Sequence, residues 1–194
     1  MEPSIKVAAP RTGYYQGAEE RGPPGLTKTI RASRWRPPDQ GFYKLNMGFS
    51  VDPVLKLVGV GSLIRDTDGS VMAAMNQKLV LCDDTLQLQA TVVLVAVKFA
   101  FHVGFRSLDV DMSYNELYYL LQFDGPCLAP IGALVDDILQ IRNACIGCKF
   151  SLIKSSCNKA ASALASEALS SATSQAWFDH CPGNISSFVL ADSC

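Results

Sequence analysis

Histidine is scarce in this 194-residue chain, with only His102 and His180. Neither lies in a recognisable motif with a nucleophile, so the sequence offers no case for Ser/His or Cys/His catalysis. The seven cysteines are odd in number and irregularly spaced, and no secretory signal sequence is read at the N-terminus. This pattern does not indicate a disulfide framework; reduced thiols in a cytoplasmic or nuclear protein are the expectation. Long hydrophobic runs are also lacking. The most apolar stretch, "ATVVLVAVKFAF", is about twelve residues and is interrupted by Lys98, too short to span a bilayer, so no membrane role is expected. Charge of one sign is missing as well: 17 Lys/Arg against 18 Asp/Glu leave a net charge of −1, with no global attraction to nucleic acid or anionic lipid.

What the chain does have is apolar content, 48% of residues, enough for one well-buried domain plus a tail. Its charge is uneven. Residues 1–40 carry seven Lys/Arg against four Asp/Glu, and the remainder ten against fourteen. A net negative domain is a poor match for a polyphosphate, so nucleic-acid binding must rest on local geometry or on the basic tail. Residues 1–38 show no hydrophobic period and end in "RWRPPDQG", which reads as a disordered tail entering an extended proline segment. The "RASRWR" cluster can touch phosphates, but a solvated linker is the expectation.

Three β-rich runs follow at 42–50, 57–66 and 70–79, the last two joined by the tight-turn sequence "DTDG" (66–69). Gly59 and Gly61 in the second run suggest close approach of another backbone or a helix. A long helix is expected over 84–103, capped by Asp83-Asp84-Thr85 and stopped at Gly104. A strand at 106–112, helices at 114–123 and 129–144, a strand at 148–153 and an Ala-rich helix at 158–172 complete the domain, with a tail at 176–194. The order predicts an α/β domain over 39–175: a five-stranded mixed sheet, three antiparallel strands then two parallel, with helices on its faces.

The segments "WRPPDQGFYKLNMG" (35–48), "GVGSLIRDTDG" (59–69), "LQATVVLVAVKFAFHVGF" (88–105), "LDVDMS" (108–113), "NKAASALA" (158–165) and "WFDHCPGNISSFVLAD" (177–192) stand in one collinear order. In these the chain resembles the ribonuclease-H-like domain common in plant genomes, related to type-1 ribonuclease H and to retroelement reverse transcriptases. The resemblance implies the ribonuclease-H-like fold. It also implies a family activity, cleavage of the RNA strand of an RNA–DNA hybrid with two Mg²⁺ ions. One ion activates water and the other stabilises the leaving oxygen, both held by carboxylates.

Four carboxylate positions carry over to neutral residues here: Gly48 on the first strand, Gln89 on the long helix, Ser113 after the fourth strand and Ser162 on the last helix. A glycine coordinates nothing, Gln keeps the shape of Glu without its charge, and serine is a weak neutral ligand. The expectation is a catalytically inactive relative that needs no cofactor. Asp52 is roughly 13 Å past Gly48 along an extended strand, too far to substitute, and Asp111 with Asp109 offers at most a weak residual Mg²⁺ position. The resemblance further implies contacts to RNA or hybrid from small residues near the central hairpin and the last helix: Asn46, Gly59, Gly61, Ser62 and Asn158.

Two alternatives stay open. The helix 88–103, apolar around most of its circumference, is either fully buried or exposes a surface for a protein partner. An active hybrid nuclease with displaced ligands is the third reading. Among other motifs, Cys145-Ile-Gly-Cys148 is a CxxC without the second close pair of a structural zinc site or a thioredoxin-like context. "GVGS" (59–62) lacks the lysine of a phosphate-binding loop. Asn184-Ile185-Ser186 matches a glycosylation sequon, expected to be a chance match in a chain with no secretory route.

Overall fold

The structure, a computed structural model, describes residues 34–123, 125, 127 and 130–192. It contains β1 (Tyr43–Asp52), β2 (Leu57–Arg65), β3 (Val71–Val80), α1 (Thr85–His102), β4 (Ser107–Met112), α2 (Asn115–Gln122), α3 (Gly132–Ala144), β5 (Gly147–Leu152), α4 (Lys159–Ser170), β6 (Gln175–Phe178) and α5 (Ser186–Asp192).

The sheet has six strands in the order β5-β4-β1-β2-β3-β6. β1, β2 and β3 form the expected antiparallel meander, and β4 and β5 run parallel to β1. The sixth strand corrects the five-stranded expectation: β6 pairs antiparallel with β3, Ala73 opposite Phe178 and Asn76 opposite Gln175. Four residues are too few to show strand alternation, so only a partner edge reveals such a strand. The segment read as a C-terminal tail thus belongs largely to the folded body. Its Ile185 is fully buried against Leu63, Ala74 and Leu164.

Local chemistry sets the connections. Asp52 closes the β1–β2 turn, its Oδ1 accepting from the amides of Val54 and Leu55, the side-chain-to-backbone bond that favours Asp in turns. In "DTDG", Asp66 Oδ1 accepts from the Asp68 and Ser70 amides, and Gly69 adopts a φ of 80°, which glycine tolerates without steric cost. Asp84 caps α1 by accepting from the Gln87 amide at 2.6 Å.

The two faces of the sheet are covered differently. α1, α2 and α3 bury one face with Leu45, Met47, Val60, Leu88, Val93, Leu117 and Ile138 in the main core. α4 lies on the other face, in a smaller cluster with Leu63 and Ile185. By length and composition α1 is long and apolar enough to cross a membrane, the short apolar run being extended on both sides within an 18-residue helix. In the fold it is a core helix packed between sheet and α3, with eight residues buried and Lys98 exposed. Of the apolar residues of α1, Leu86, Val95, Phe99 and Phe101 are part-buried and none is among the large exposed ones, so the helix is chiefly a core element.

Candidate functional site

β1 alternates its side chains across the sheet, so Leu45 and Met47 enter the main core while Lys44, Asn46 and Gly48 face α4. Gly48 is covered by Ser162. A Cβ added at Gly48 would lie 2.9 Å from both the amide nitrogen and Oγ of Ser162, and 3.0 Å from its Cα. β1 and β4 are paired in parallel up to Asn46 and Asp111, and Ser113 follows directly after the end of β4 at Met112. Two of the four inferred carboxylate positions therefore meet, from β1 and α4. Gln89 stands on the second turn of α1, a helix that packs on the opposite face of the sheet.

The same close approach runs along β2. A Cβ on Gly59 would collide with the Ala165 carbonyl, and one on Gly61 with the Ala161 carbonyl, with the Ala165 amide nitrogen also only 2.6 Å away. These glycines let the alanine face of α4 rest directly on the strand, the packing role that glycine inside a strand suggests. They are therefore covered by helix backbone rather than presented to RNA or hybrid.

The residues at this place do not fit a pair of Mg²⁺ ions. The space that a side chain at position 48 would occupy is filled by the backbone and hydroxyl of Ser162. The polar groups shown there, the amide nitrogen and hydroxyl of Ser162, supply none of the negative charge that hard divalent cations require. The neighbouring carboxylates are already matched to a cation of the chain itself. Lys44 Nζ lies 2.7 Å from Asp109 Oδ2 and 3.4 Å from Asp111 Oδ1, all three side chains being at most 7% exposed. An ammonium held between two buried carboxylates offsets their charge and occupies the position a loosely bound ion would need. Asp109 also accepts from Ser151 Oγ at 3.2 Å and lies 3.4 Å from Lys149 Nζ.

Beside this pair sits a buried polar cluster that the sequence does not announce. Asn46 Oδ1 accepts from Trp35 Nε1 at 2.9 Å and from Arg65 at 3.0 Å, while its Nδ2 donates to Asn158 Oδ1 at 2.8 Å. The Arg65 guanidinium lies 3.7 Å from the centre of the Trp35 ring, a cation–π contact. Burial outweighs the attraction of Lys44 and pushes the Asp111 carboxyl up to about 6.

The candidate nucleic-acid residues can now be placed. Asn46 and Asn158 are joined to each other but buried within this cluster, Asn46 being engaged by Trp35 and Arg65. Ser62 is fully buried on β2; strand alternation sets it with Val60 and Ile64 on the main-core side, where its hydroxyl has no hydrogen-bond partner. Of the residues the expected tail covered, 1–33 lie outside the described residues, whereas Trp35 and Pro38 are buried against the domain. Sequence reasoning missed Trp35, Lys44 and Arg65. A tryptophan held between arginines in "RWRPP" was the signal available for the first; the other two read as ordinary strand cations.

The profile of the reverse transcriptase-like family matches residues 54–168. No curated protein matches the chain. Among solved structures, RNase H1 from the halophilic archaeon Halobacterium salinarum is similar at a TM-score of 0.59 and 16% identity, over 67% of this chain and 98% of its own. The N-terminal RNase H domain of a Mycobacterium tuberculosis protein, solved as a fusion with maltose binding protein, gives 0.57 and 13% over 66% and 94%. LC11-RNase H1, isolated from compost by a metagenomic approach, gives 0.54 and 16% over 66% and 94%. With the mixed sheet and its helices arranged as described, the chain has the RNase H fold and belongs to the reverse transcriptase-like family.

Proposed function

We propose that this protein is an RNase-H-like domain that does not hydrolyse RNA–DNA hybrids and engages hybrid or RNA only weakly. The observation that carries the reading is the contact of Gly48 with Ser162: two of the four inferred metal-ligand positions touch, neither bears a carboxylate, and no volume is left between them for a side chain at 48. Loss of a single well-placed catalytic group commonly costs about 10²–10⁴-fold; replacing four charged ligands by neutral ones removes the site. Weak binding follows from the net negative charge of residues 41–194 and from the burial of Asn46, Ser62 and Asn158. A plant origin, a relation to retroelements and a cytoplasmic or nuclear setting belong to the same reading, and the reverse transcriptase-like family fits the second.

The test is incubation of the full chain with a labelled RNA–DNA hybrid and Mg²⁺ or Mn²⁺. No cleavage above background is expected, and multiple turnover would show that displaced ligands restore a working site. Binding of the same hybrid over a salt series is expected to be weak and to vanish as salt rises; tight, salt-insensitive binding would contradict the second half of the proposal.

A further inference from the structure

Trp35 is buried, yet it belongs to neither apolar cluster of the core. Polar side chains hold its ring instead. The Arg65 guanidinium lies 3.7 Å from the ring centre, and Nε1 donates to Asn46 Oδ1 at 2.9 Å. Both partners are only 1% exposed, so the slot is built into the fold. The segment that carries the ring, residues 34–42, has neither helix nor strand. Its other tie is the exposed pair of Asp39 with Lys149 at 2.7 Å, of a kind that contributes little, which leaves Trp35 as the main latch. A guanidinium plane beside an amide oxygen is equipment with which proteins hold an unpaired nucleobase: the base stacks on the plane and its N–H donates to the amide. Indole and purine share one outline, a five-membered ring fused to a six-membered one. The slot also offers more than an indole uses. Asn46 Nδ2 donates to Asn158 Oδ1 at 2.8 Å, and Asn158 Nδ2 is buried with no hydrogen-bond partner among the described residues. Indole carries a donor and no acceptor, whereas adenine presents both on one edge.

We propose that the slot filled by Trp35 is a site for an unpaired purine base, kept shut by the chain's own tryptophan. This rests on the weak nucleic-acid engagement proposed above and supplies a cause for it, since a base must displace the indole before it binds. In the closed form Trp35 stands in the purine's place, stacked on Arg65 and donating to Asn46. When the ring leaves, the purine takes over both contacts through its face and its amino group. A purine inside a duplex or hybrid has its face stacked and its amino edge paired, so it does not compete for the slot. The affinity of the open site is thus reduced in the wild type by the small fraction of molecules in which Trp35 has left.

The experiment titrates labelled oligoadenylate RNA into the full wild-type chain and the full Trp35→Ala chain, read by fluorescence anisotropy. The variant is expected to bind about 10- to 100-fold tighter, the worth of one stacked base. The gain should be alike at every salt concentration, because the substitution changes no charge. Oligouridylate and an RNA–DNA hybrid should gain little, and excess adenosine monophosphate should displace the labelled strand. A folded variant that binds oligoadenylate no tighter than wild type overturns the proposal, and so does an equal gain for oligouridylate. Should Trp35→Ala fail to fold, Trp177→Phe decides, since it leaves Trp35 as the one tryptophan in the chain. Oligoadenylate is then expected to shift the Trp35 emission to the red as the ring enters water; binding without that shift overturns the proposal. Tight hybrid binding by the wild type would sink the weak-binding reading alone, and the ratio of variant to wild type on oligoadenylate would still decide the purine site.

Discussion

Gly48 on β1 and Ser162 on α4 touch so closely that the strand residue has room for no side chain: a Cβ there would stand 2.9 Å from the Ser162 amide nitrogen and 3.0 Å from its Cα. Two positions that the resemblance assigns to metal-binding carboxylates form a packing contact between sheet and helix.

Adding a side chain at that point should therefore strain the domain. Gly48→Ala is expected to lower stability by about 1–3 kcal/mol, the usual penalty for overfilling a packed interior, read from urea unfolding. Pairing it with Ser162→Gly should recover only part of the loss, because the helix backbone remains in place. Full recovery would mean that the hydroxyl alone was the obstacle.

For the same reason, restoring charge should not restore the metal site. The variant Gly48→Asp, Gln89→Glu, Ser113→Asp, Ser162→Asp is expected to show no tight Mn²⁺ or Mg²⁺ binding by calorimetry, since its residue 48 meets helix backbone and Lys44 still neutralises the adjacent carboxylates. Stoichiometric binding of divalent ions would show that α4 yields readily.

Trp35 should prove to be part of the folded domain. Trp35→Ala removes a buried ring, a hydrogen bond to Asn46 and the stacking surface of Arg65, and is expected to cost about 3–5 kcal/mol, as large-to-small substitutions of buried aromatics do. Trp35→Phe keeps most of the packing and should cost clearly less. Equal losses for the two would place the energy in the hydrogen bond rather than in the ring.

Asp111 should make stability depend on acidity. Its folded carboxyl titrates at about 6 against an ordinary 3.8, burial being the main cause. The folded state thus holds a proton that the unfolded chain releases between these values. Its contribution to stability is complete below about pH 4 and is lost as pH rises through about 6. Asp111→Asn should flatten that part of the stability-against-pH profile, measured by urea midpoints; an unchanged slope would assign the titration elsewhere.

Much of the fold was legible because local rules and global topology agree. The meander is marked by strand-forming runs and the "DTDG" turn, α1 by the Asp84 cap, and the crossovers by alternation of strand and helix. β6 and the burial of Trp35 were not, since a four-residue strand and one tryptophan in a Pro/Arg segment have no period to read. The site was legible in identity rather than in space. Of the four positions that the resemblance named, Gly48, Gln89, Ser113 and Ser162, the fold puts Gly48 against Ser162, and Gly59 and Gly61 make the close approach expected of them. Asn46, Gly59, Gly61, Ser62 and Asn158, nominated as contacts, are all buried.

Residue types and their order along the chain determined that the strands and helices assemble into this α/β fold, and that the four positions the resemblance assigns to carboxylates, Gly48, Gln89, Ser113 and Ser162, are uncharged. Tertiary structure decided what surrounds these positions. Contacts between residues about a hundred positions apart set α4 on Gly48 and place Asn46 against Asn158, while Lys44 reaches Asp109 and Asp111 from a neighbouring strand. Such pairings depend on strand register and helix placement, which arise only when the whole sheet has formed.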